Sequence, residues 1–361
     1  MIQNVLLTGA NGFLASHILS QLLTFHTFSI QHVRAVVRTS ASADRILHDF
    51  LSNSRLSIAV VPDYAASGAF DSAVVSTDHP FDVVIHTPSG FGDLASSAHE
   101  HAMVKGALEL LGAVKRFAPT VQRVVITSSN AAVIDYDHKV ATTGKVFDEE
   151  DWNPVSWEEA VAAGVSGQYK ASKKFMEIAA MDFISKHQPS FGLVVLCPAA
   201  IFGPLTHVAG RSINDLNLSN GMFWKIFCCA GKEAKLPKQT VWSYVDVRDL
   251  ATAHILATTC SIPSAFDQCL RLIISARKFT YKVFCDILRA NVTALGEPTP
   301  QTPQLPESDV ADEGAYGLSN ARAVEVFGED LVFRSMEETV VELAEQLLGI
   351  GRGQANEREM R

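Results

Sequence analysis

Asn4-Val5-Leu6-Leu7-Thr8-Gly9-Ala10-Asn11-Gly12-Phe13-Leu14-Ala15-Ser16-His17 joins a short apolar run to a glycine turn, and Ile18, Leu19, Leu22 and Leu23 continue it at helical spacing. The run Val5-Leu6-Leu7 does not alternate with polar residues, which is the pattern of a parallel strand buried on both faces. Gly9 permits a tight turn, Gly12 lets backbone amides approach a pyrophosphate at a helix N-terminus, and Ala15 is small enough for the helix to lie on its strand. Strand, glycine turn and helix in this order are the context that a dinucleotide loop requires. The expected cofactor cradle is therefore Gly9, Asn11, Gly12, Phe13 and Leu14, at the start of an α/β fold built on a doubly wound parallel sheet.

Further strands follow outward from this one. His32-Val33-Arg34-Ala35-Val36-Val37 ends at Arg38, where a protein that binds NAD usually places an acid for the ribose hydroxyls, and Arg45 follows at the start of the next helix. A guanidinium is planar, permanently charged and able to donate two parallel hydrogen bonds, so it suits a 2′-phosphate and points to NADP(H). Arg34, alternating with apolar neighbours, reads as solvent-facing. Leu56 to Val61 is a third strand and ends at Pro62-Asp63. Phe81 to Ile85 is a fourth, leaving through His86-Thr87-Pro88-Ser89-Gly90 on the edge where α/β sheets bind ligands. His86 reads as a hydrogen-bonded packing residue. Arg123 to Thr127 is a fifth strand whose hydroxyl-rich end, Ser128-Ser129, falls on that same edge.

Composition bounds the rest. The 361 residues can bury a large core, and a net charge of −9 without a long basic run disfavours nucleic acid and anionic membranes as partners. The six cysteines include no C-x-x-C pair and have no histidine-rich surroundings, so no metal site is expected and the thiols read as reduced. Met1 leads straight into the first strand without a signal-peptide pattern, and no apolar stretch reaches the ~20 residues needed to span a bilayer. The expectation is a cytoplasmic protein, monomeric or homodimeric, that acts on a small molecule.

The chemistry centres on Gln168-Tyr169-Lys170-Ala171-Ser172-Lys173-Lys174, which opens a helical run through Phe175, Ile178, Ala179, Met181 and Phe183. On a helix Tyr169 and Lys173 share one face, one turn apart. A neighbouring cation favours phenolate and is expected to draw the Tyr169 pKa towards neutrality, where the phenol can hand a proton to a developing alkoxide. Such a pair also occurs by chance on helix surfaces, and a serine at a strand end is usually a turn residue. Ser129, Tyr169 and Lys173 on one edge form a constellation.

The order Thr8-Gly9-x-x-Gly12-x-x-Ala15, Thr127-Ser128-Ser129, Tyr169-x-x-x-Lys173 is similar to that of the extended short-chain dehydrogenase/reductases. Four further motifs narrow the likeness: Phe147-Asp148-Glu149-Glu150-Asp151-Trp152-Asn153-Pro154, Tyr169-x-x-Ser172-Lys173-Lys174, Pro198-x-x-x-Phe202-Gly203-Pro204 and Tyr244-Val245-Asp246-Val247-Arg248-Asp249. With these the chain resembles the fungal methylglyoxal/isovaleraldehyde reductases and the dihydroflavonol-reductase-like carbonyl reductases. The resemblance implies a Rossmann-type sheet, NADP(H) and a carbonyl substrate. It makes Tyr169 the proton donor, Lys173 the ligand of the nicotinamide ribose and Ser129 the hydrogen-bond partner of the carbonyl oxygen. Arg38 and Arg45 match positions that hold the 2′-phosphate, Asp63 matches the acid on the adenine side, and Pro198 would lie beside the nicotinamide.

The departures are Pro88-Ser89-Gly90 where relatives commonly read Ala-Ser-Pro, and Asn130 and Ala200 where relatives often carry aromatics. The last two remove bulk and imply a substrate larger than a small aldehyde. Phe91, Asn130, Ala200 and Trp224 are the candidate pocket residues, although Phe223, Trp224 and Phe227 at helical spacing also read as core. An NAD-dependent epimerase or dehydratase is disfavoured by Arg38 and by Asn130-Ala131 after Ser129. A silent NADP-binding sensor has no need of the three catalytic residues. The expected organisation is a nucleotide domain of residues 1–197 with 242–292, and a smaller, discontinuous substrate lobe of 198–241 with 293–348. Residues 297–314, rich in proline and acids, are expected to form a loop, and the helix from Met336 is expected to stop at Leu348 before a flexible tail of 349–361.

Overall fold

A computed structural model describes residues 2–24, 29–50, 53–87, 99–135, 143–207, 212–229, 234–264, 268–291, 295 and 315–359. Its strands are β1 (Asn4–Thr8), β2 (His32–Val37), β3 (Leu56–Val60), β4 (Val83–His86), β5 (Arg123–Thr127), β6 (Val146–Phe147), β7 (Gly192–Pro198), β8 (Ala200–Phe202), β9 (Ser243–Asp246), β10 (Cys269–Ile274), β11 (Arg277–Lys278) and β12 (Gly317–Leu318). The helices are α1 (Phe13–Thr24), α2 (Ser40–Asp49), α3 (His99–Phe117), α4 (Trp157–Ala162), α5 (Gly164–His187), α6 (Leu218–Phe223), α7 (Val247–Leu256), α8 (Tyr281–Ala290), α9 (Ala321–Phe327) and α10 (Met336–Glu359). Seven parallel strands form the main sheet in the order β10-β7-β5-β4-β1-β2-β3.

Alternate side chains of each strand feed opposite faces of that sheet. Val5, Leu7, Ile85, Val125 and Leu196 enter one apolar cluster with α1, α7 and Ala323 and Phe327 of α9. Leu6, Val84, Val124, Ile126 and Val195 enter the other, with Leu110, Leu111 and Val114 of α3 and Met176, Ala180 and Ile184 of α5. Both faces are covered, so the non-alternating apolar runs of the sequence are the signature of the central strands. Arg34 is not turned to solvent: its guanidinium donates to the carbonyls of Ala73 (2.9 Å) and Val75 (2.6 Å) and lies over Phe81.

A three-stranded sheet, β11-β9-β8, carries a third cluster outside the main sheet. Phe223 and Phe227 belong to its core, and Phe284 of α8 is its hub, stacked on Phe279 at 4.6 Å between centroids and contacting Phe202, Phe223, Phe227 and Tyr244. Two segments pack differently from the expected division. Phe279 to Leu288 joins this outer cluster, whereas Ala323 and Phe327 return to the main sheet. The last helix also continues past Leu348 to Glu359, because Gly351 brings it against the Trp224 ring so closely that an added Cβ would stand 2.7 Å from the indole. The Pro88-Ser89-Gly90 turn, Phe91 and 297–314 lie outside the described residues. Among the described residues no helix is long and apolar enough to cross a membrane.

Phe284→Ala empties the centre of the outer cluster and is expected to cost about 3–5 kcal/mol. Val324→Ala, at a position 46% exposed on α9, is expected to change stability by less than about 0.5 kcal/mol. Urea denaturation of the two variants checks both; equal midpoints would refute the assigned core.

Candidate active site

The carboxyl ends of β1, β2, β4, β5 and β7 share one rim of the main sheet, the rim on which open α/β sheets gather ligands. At β1 the chain turns through Gly9, whose φ of 71° is left-handed and favours glycine. Gly12 donates its N–H to the Gly9 carbonyl at 2.8 Å, and a Cβ on Gly12 would stand 3.1 Å from that same oxygen. The turn delivers an exposed Gly12 to the start of α1, beside half-buried Asn11 and Phe13, while the Leu14 side chain is buried. Arg38 is exposed where β2 ends, Thr39 caps α2, and Arg45 is exposed on that helix. An open helix N-terminus flanked by exposed guanidinium groups fits a dinucleotide with an additional phosphate. Asp63 is also exposed beyond β3, where its carboxylate accepts the Ala65 N–H at 2.9 Å and so closes its own turn.

Ser129, Tyr169 and Lys173 meet on this rim. Ser129 caps the short 3₁₀ turn Asn130–Ala132; its Oγ accepts the Ala131 N–H at 3.1 Å, lies 3.2 Å from Asn130 Oδ1 as donor, and is hydrogen-bonded to the Tyr169 phenol. Tyr169 and Lys173 occupy one face of α5, with the ammonium 6.0 Å from the phenol ring centroid. Lys173 is 1% exposed and its Nζ donates to the Thr127 carbonyl at 3.0 Å. Burial lowers the Lys173 pKa to about 8, opposed by the neighbouring Cys197 and Glu177. The expected fall of the Tyr169 pKa towards neutrality does not occur in this arrangement. Burial pushes the phenol above its ordinary value, the Ser129 hydrogen bond offsets only part of that, and the ammonium is directed at Thr127.

The polar groups behind the three residues are satisfied by partners far apart in the chain. Thr127 Oγ1 lies 2.7 Å from His254 Nε2, and His254 Nδ1 lies 2.8 Å from the Leu250 carbonyl, which can only accept. Nδ1 therefore carries the proton, Nε2 accepts from Thr127, and burial keeps the ring neutral with a pKa of about 4. His86 is the packing residue expected of it: Nδ1 is 2.8 Å from Thr8 Oγ1, and burial, reinforced by Lys173, lowers its pKa to about 3. Ser128 donates to Glu177 Oε2 at 2.6 Å, and Glu177 pairs with Arg271 of β10. His254, Glu177 and Arg271 escaped the sequence reading; the one available signal was that Glu177 lies one turn beyond Lys173 on the same helical face.

Of the candidate pocket residues, Asn130 is 8% exposed and turned towards Ser129, so it is a hydrogen-bond partner as well as a missing ring. Ala200 is half-buried on β8 opposite Tyr244, next to Pro198 at the end of β7. Trp224 is half-buried against α10, in a π-helical turn over Trp224–Cys228.

The model of the NAD dependent epimerase/dehydratase family matches residues 5–262 of the chain. Ketoreductase azaE of Aspergillus niger is 35% identical over 96% of this chain and 98% of its own length. The NADPH-dependent methylglyoxal reductase of Saccharomyces cerevisiae is 32% identical, over 96% of this chain and 98% of its own. The crystal structure of the yeast methylglyoxal/isovaleraldehyde reductase complexed with NADPH superposes with a TM-score of 0.82 at 29% identity, covering 97% of this chain and 99% of that one.

The buried histidines make stability depend on pH. Unfolded histidine titrates near 6.5, whereas His86 and His254 are held at about 3 and about 4. Below that unfolded value the unfolded chain takes up protons that the folded chain refuses. The stability that comes from neutrality is therefore complete above pH ~6.5 and is lost as pH falls towards the folded values. The wild-type unfolding free energy minus that of His254→Gln should thus fall by about 1.4 kcal/mol per pH unit below about pH 6. Asp249, raised to about 6 chiefly by burial, works in the opposite sense and cancels in that difference. Denaturation of both proteins across this range checks it, and parallel curves would mean that His254 is already charged in the fold.

Proposed function

The chain belongs to the NAD dependent epimerase/dehydratase family, and on that premise we propose that it is an NADPH-dependent reductase of a ketone or aldehyde in which Tyr169 gives up the proton. The observation that carries this reading is the meeting of Ser129, Tyr169 and Lys173 on the sheet rim that also bears the Gly9–Gly12 turn. The NADPH-dependent methylglyoxal reductase and the ketoreductase among its relatives support the same reaction class.

The turn at Gly9, Asn11 and Gly12, with the amides of Phe13 and Leu14, would hold the pyrophosphate. Arg38 and Arg45 would take the 2′-phosphate, Asp63 would lie towards the adenine, and Pro198 and Lys173 would face the nicotinamide end. When bound, NADPH supplies the hydride. Ser129 orients the carbonyl oxygen, and as charge develops there the Tyr169 O–H bond breaks and its proton passes to that oxygen. A phenol held above its ordinary pKa by burial is protonated at neutral pH, the form that reduction needs. The Lys173 cation stabilises the phenolate left behind. The small side chains at Asn130 and Ala200 leave room for a ketone bulkier than methylglyoxal, cyclic or polyketide-like in outline; the ketoreductase among the relatives supports a ketone as the substrate and no more than that.

Tyr169→Phe is expected to lower turnover at least ~10²-fold while leaving NADPH binding intact. NADPH oxidation over a panel of carbonyls tests this, and an aryl ketone should be turned over in preference to methylglyoxal. Full activity of Tyr169→Phe would sink the proton-donor assignment, and a clear preference for methylglyoxal would sink the bulky-substrate assignment. Arg38→Ser should reduce the preference for NADPH over NADH by roughly 10- to 100-fold, the loss of a charged hydrogen-bond pair. The ratio of kcat/KM for the two cofactors reads it directly, and an unchanged ratio would exclude Arg38 from the phosphate site.

A further inference from the structure

Tyr169, Lys173 and Glu177 fall on one stripe of α5, each a turn apart. The first two face the rim; Glu177 lies beneath them, 0% exposed, and is not explained by the proton transfer. Its carboxylate accepts the Ser128 hydroxyl at 2.6 Å, pairs with Arg271 Nε, and is approached by the Cys197 thiol at 3.6 and 3.7 Å. Arg271 is fixed independently: it donates to the carbonyls of Glu149 and Asp151, both at 2.7 Å, and lies 3.8 Å over the Trp152 ring. Glu177 thereby joins the helix of Tyr169 and Lys173 to the residue that immediately precedes Ser129.

We propose that Glu177 is the positioning residue of this site, a single carboxylate that ties the strand end carrying Ser129 to the helix carrying Tyr169 and Lys173 and that faces Lys173 as its counter-charge. A buried ammonium needs a compensating charge or it gives up its proton. Among the described residues, the titratable groups set against Lys173 are Tyr169 and Glu177 on its own helix, His86 on β4 and Cys197 on β7. Burial keeps His86 uncharged and pushes the Cys197 thiol and the Tyr169 phenol up, so all three are neutral near pH 7. His254, behind Thr127 on α7, is neutral as well. Glu177, shared with Arg271, is the anion of the set. Arg271 holds Oε1 while Ser128 holds Oε2, so the carboxylate is not free to swing away from Ser128.

The kinetic arm of this proposal rests on the reductase reading; the titration arm does not. In the protein without cofactor, NMR titration of the Lys173 Cε resonance should give a midpoint near about 8, and Glu177→Gln should move it down by about one pH unit or more. Ser128→Ala, which cuts only the tie to the strand, should leave that midpoint in place yet lower kcat by roughly tenfold or more, the scale of a misplaced reacting group. Glu177→Met combined with Arg271→Met replaces the ion pair by apolar bulk, an exchange that generally preserves stability. The double variant, which also leaves the Glu149 and Asp151 carbonyls without Arg271 and so unfolds somewhat earlier, should remain folded under assay conditions and keep its KM for NADPH, while kcat falls at least roughly tenfold.

A Lys173 midpoint unmoved in Glu177→Gln would overturn the counter-charge, and a folded double variant with wild-type kcat and pH profile would overturn the positioning role. If the wild type reduces no carbonyl, the reductase reading fails alone and the titration still decides Glu177.

Discussion

A lysine ammonium at 1% exposure is the constraint around which this site is arranged. Removing such a charge from water costs several kcal/mol unless hydrogen bonds and an opposite charge are supplied in its place. β5 ends early, at Thr127, whose carbonyl accepts the ammonium at 3.0 Å, while the Ser128 N–H still reaches the Leu196 carbonyl of β7. The same early end lets Ser128 turn towards Glu177 and Ser129 towards Tyr169. A single strand terminus therefore supplies the acceptor for the cation, the tie to the helix and the hydroxyl bonded to Tyr169. Moving the end of β5 by one residue would exchange inward and outward faces and undo all three.

Much of this was legible because its signals are local. Strand, glycine turn and helix follow one another within residues 4–23, Arg38 stands directly after its strand, and Tyr169 and Lys173 are one turn apart. The pairing of Glu177 with Arg271 was not legible: Arg271 becomes a neighbour only because β10 is laid beside β7. His254 was hidden for the same reason, since its contact with Thr127 depends on α7 packing over β5. The Tyr169 pKa was misjudged because spacing reveals the adjacent cation and not the depth of burial, and here burial is the larger influence. Asn130 shows a related limit. As a substitution it reads as lost bulk, whereas its amide is turned inward to the Ser129 hydroxyl.

The packing of the outer cluster was not legible for a physical reason as well. Tyr281 to Ala290 is strongly amphipathic, and sequence shows that it has an apolar face but not which surface that face covers. Its phenylalanine meets aromatic partners from four separate segments of the chain, Phe202, Phe223 with Phe227, Tyr244 and Phe279, and only the fold collects them. The end of α10 is the complementary case. Gly349, Gly351 and Gly353 are poor helix formers, yet the absence of a side chain at Gly351 is what admits the Trp224 ring, so tertiary contact overrides propensity.

The two parts of the molecule are joined at α7 in a manner that bears on the site. Asp246 caps that helix, binds Arg248 and accepts the Thr339 hydroxyl of α10 at 2.9 Å, while Asp249 pairs with Arg334 just before α10. At the far end of the same helix His254 holds Thr127, and Thr127 holds Lys173. The contacts are hydrogen-bonded and largely buried, and the connecting element is a helix of 10 residues, which bends little over that length. The helix α10 of the outer lobe and the lysine on the rim are thus both tied to α7. Proton transfer tolerates little error in the distance between donor and acceptor. Anchoring both at opposite ends of α7 restricts that error more effectively than a loop connection would, because the backbone hydrogen bonds of a helix hold its φ and ψ against displacement.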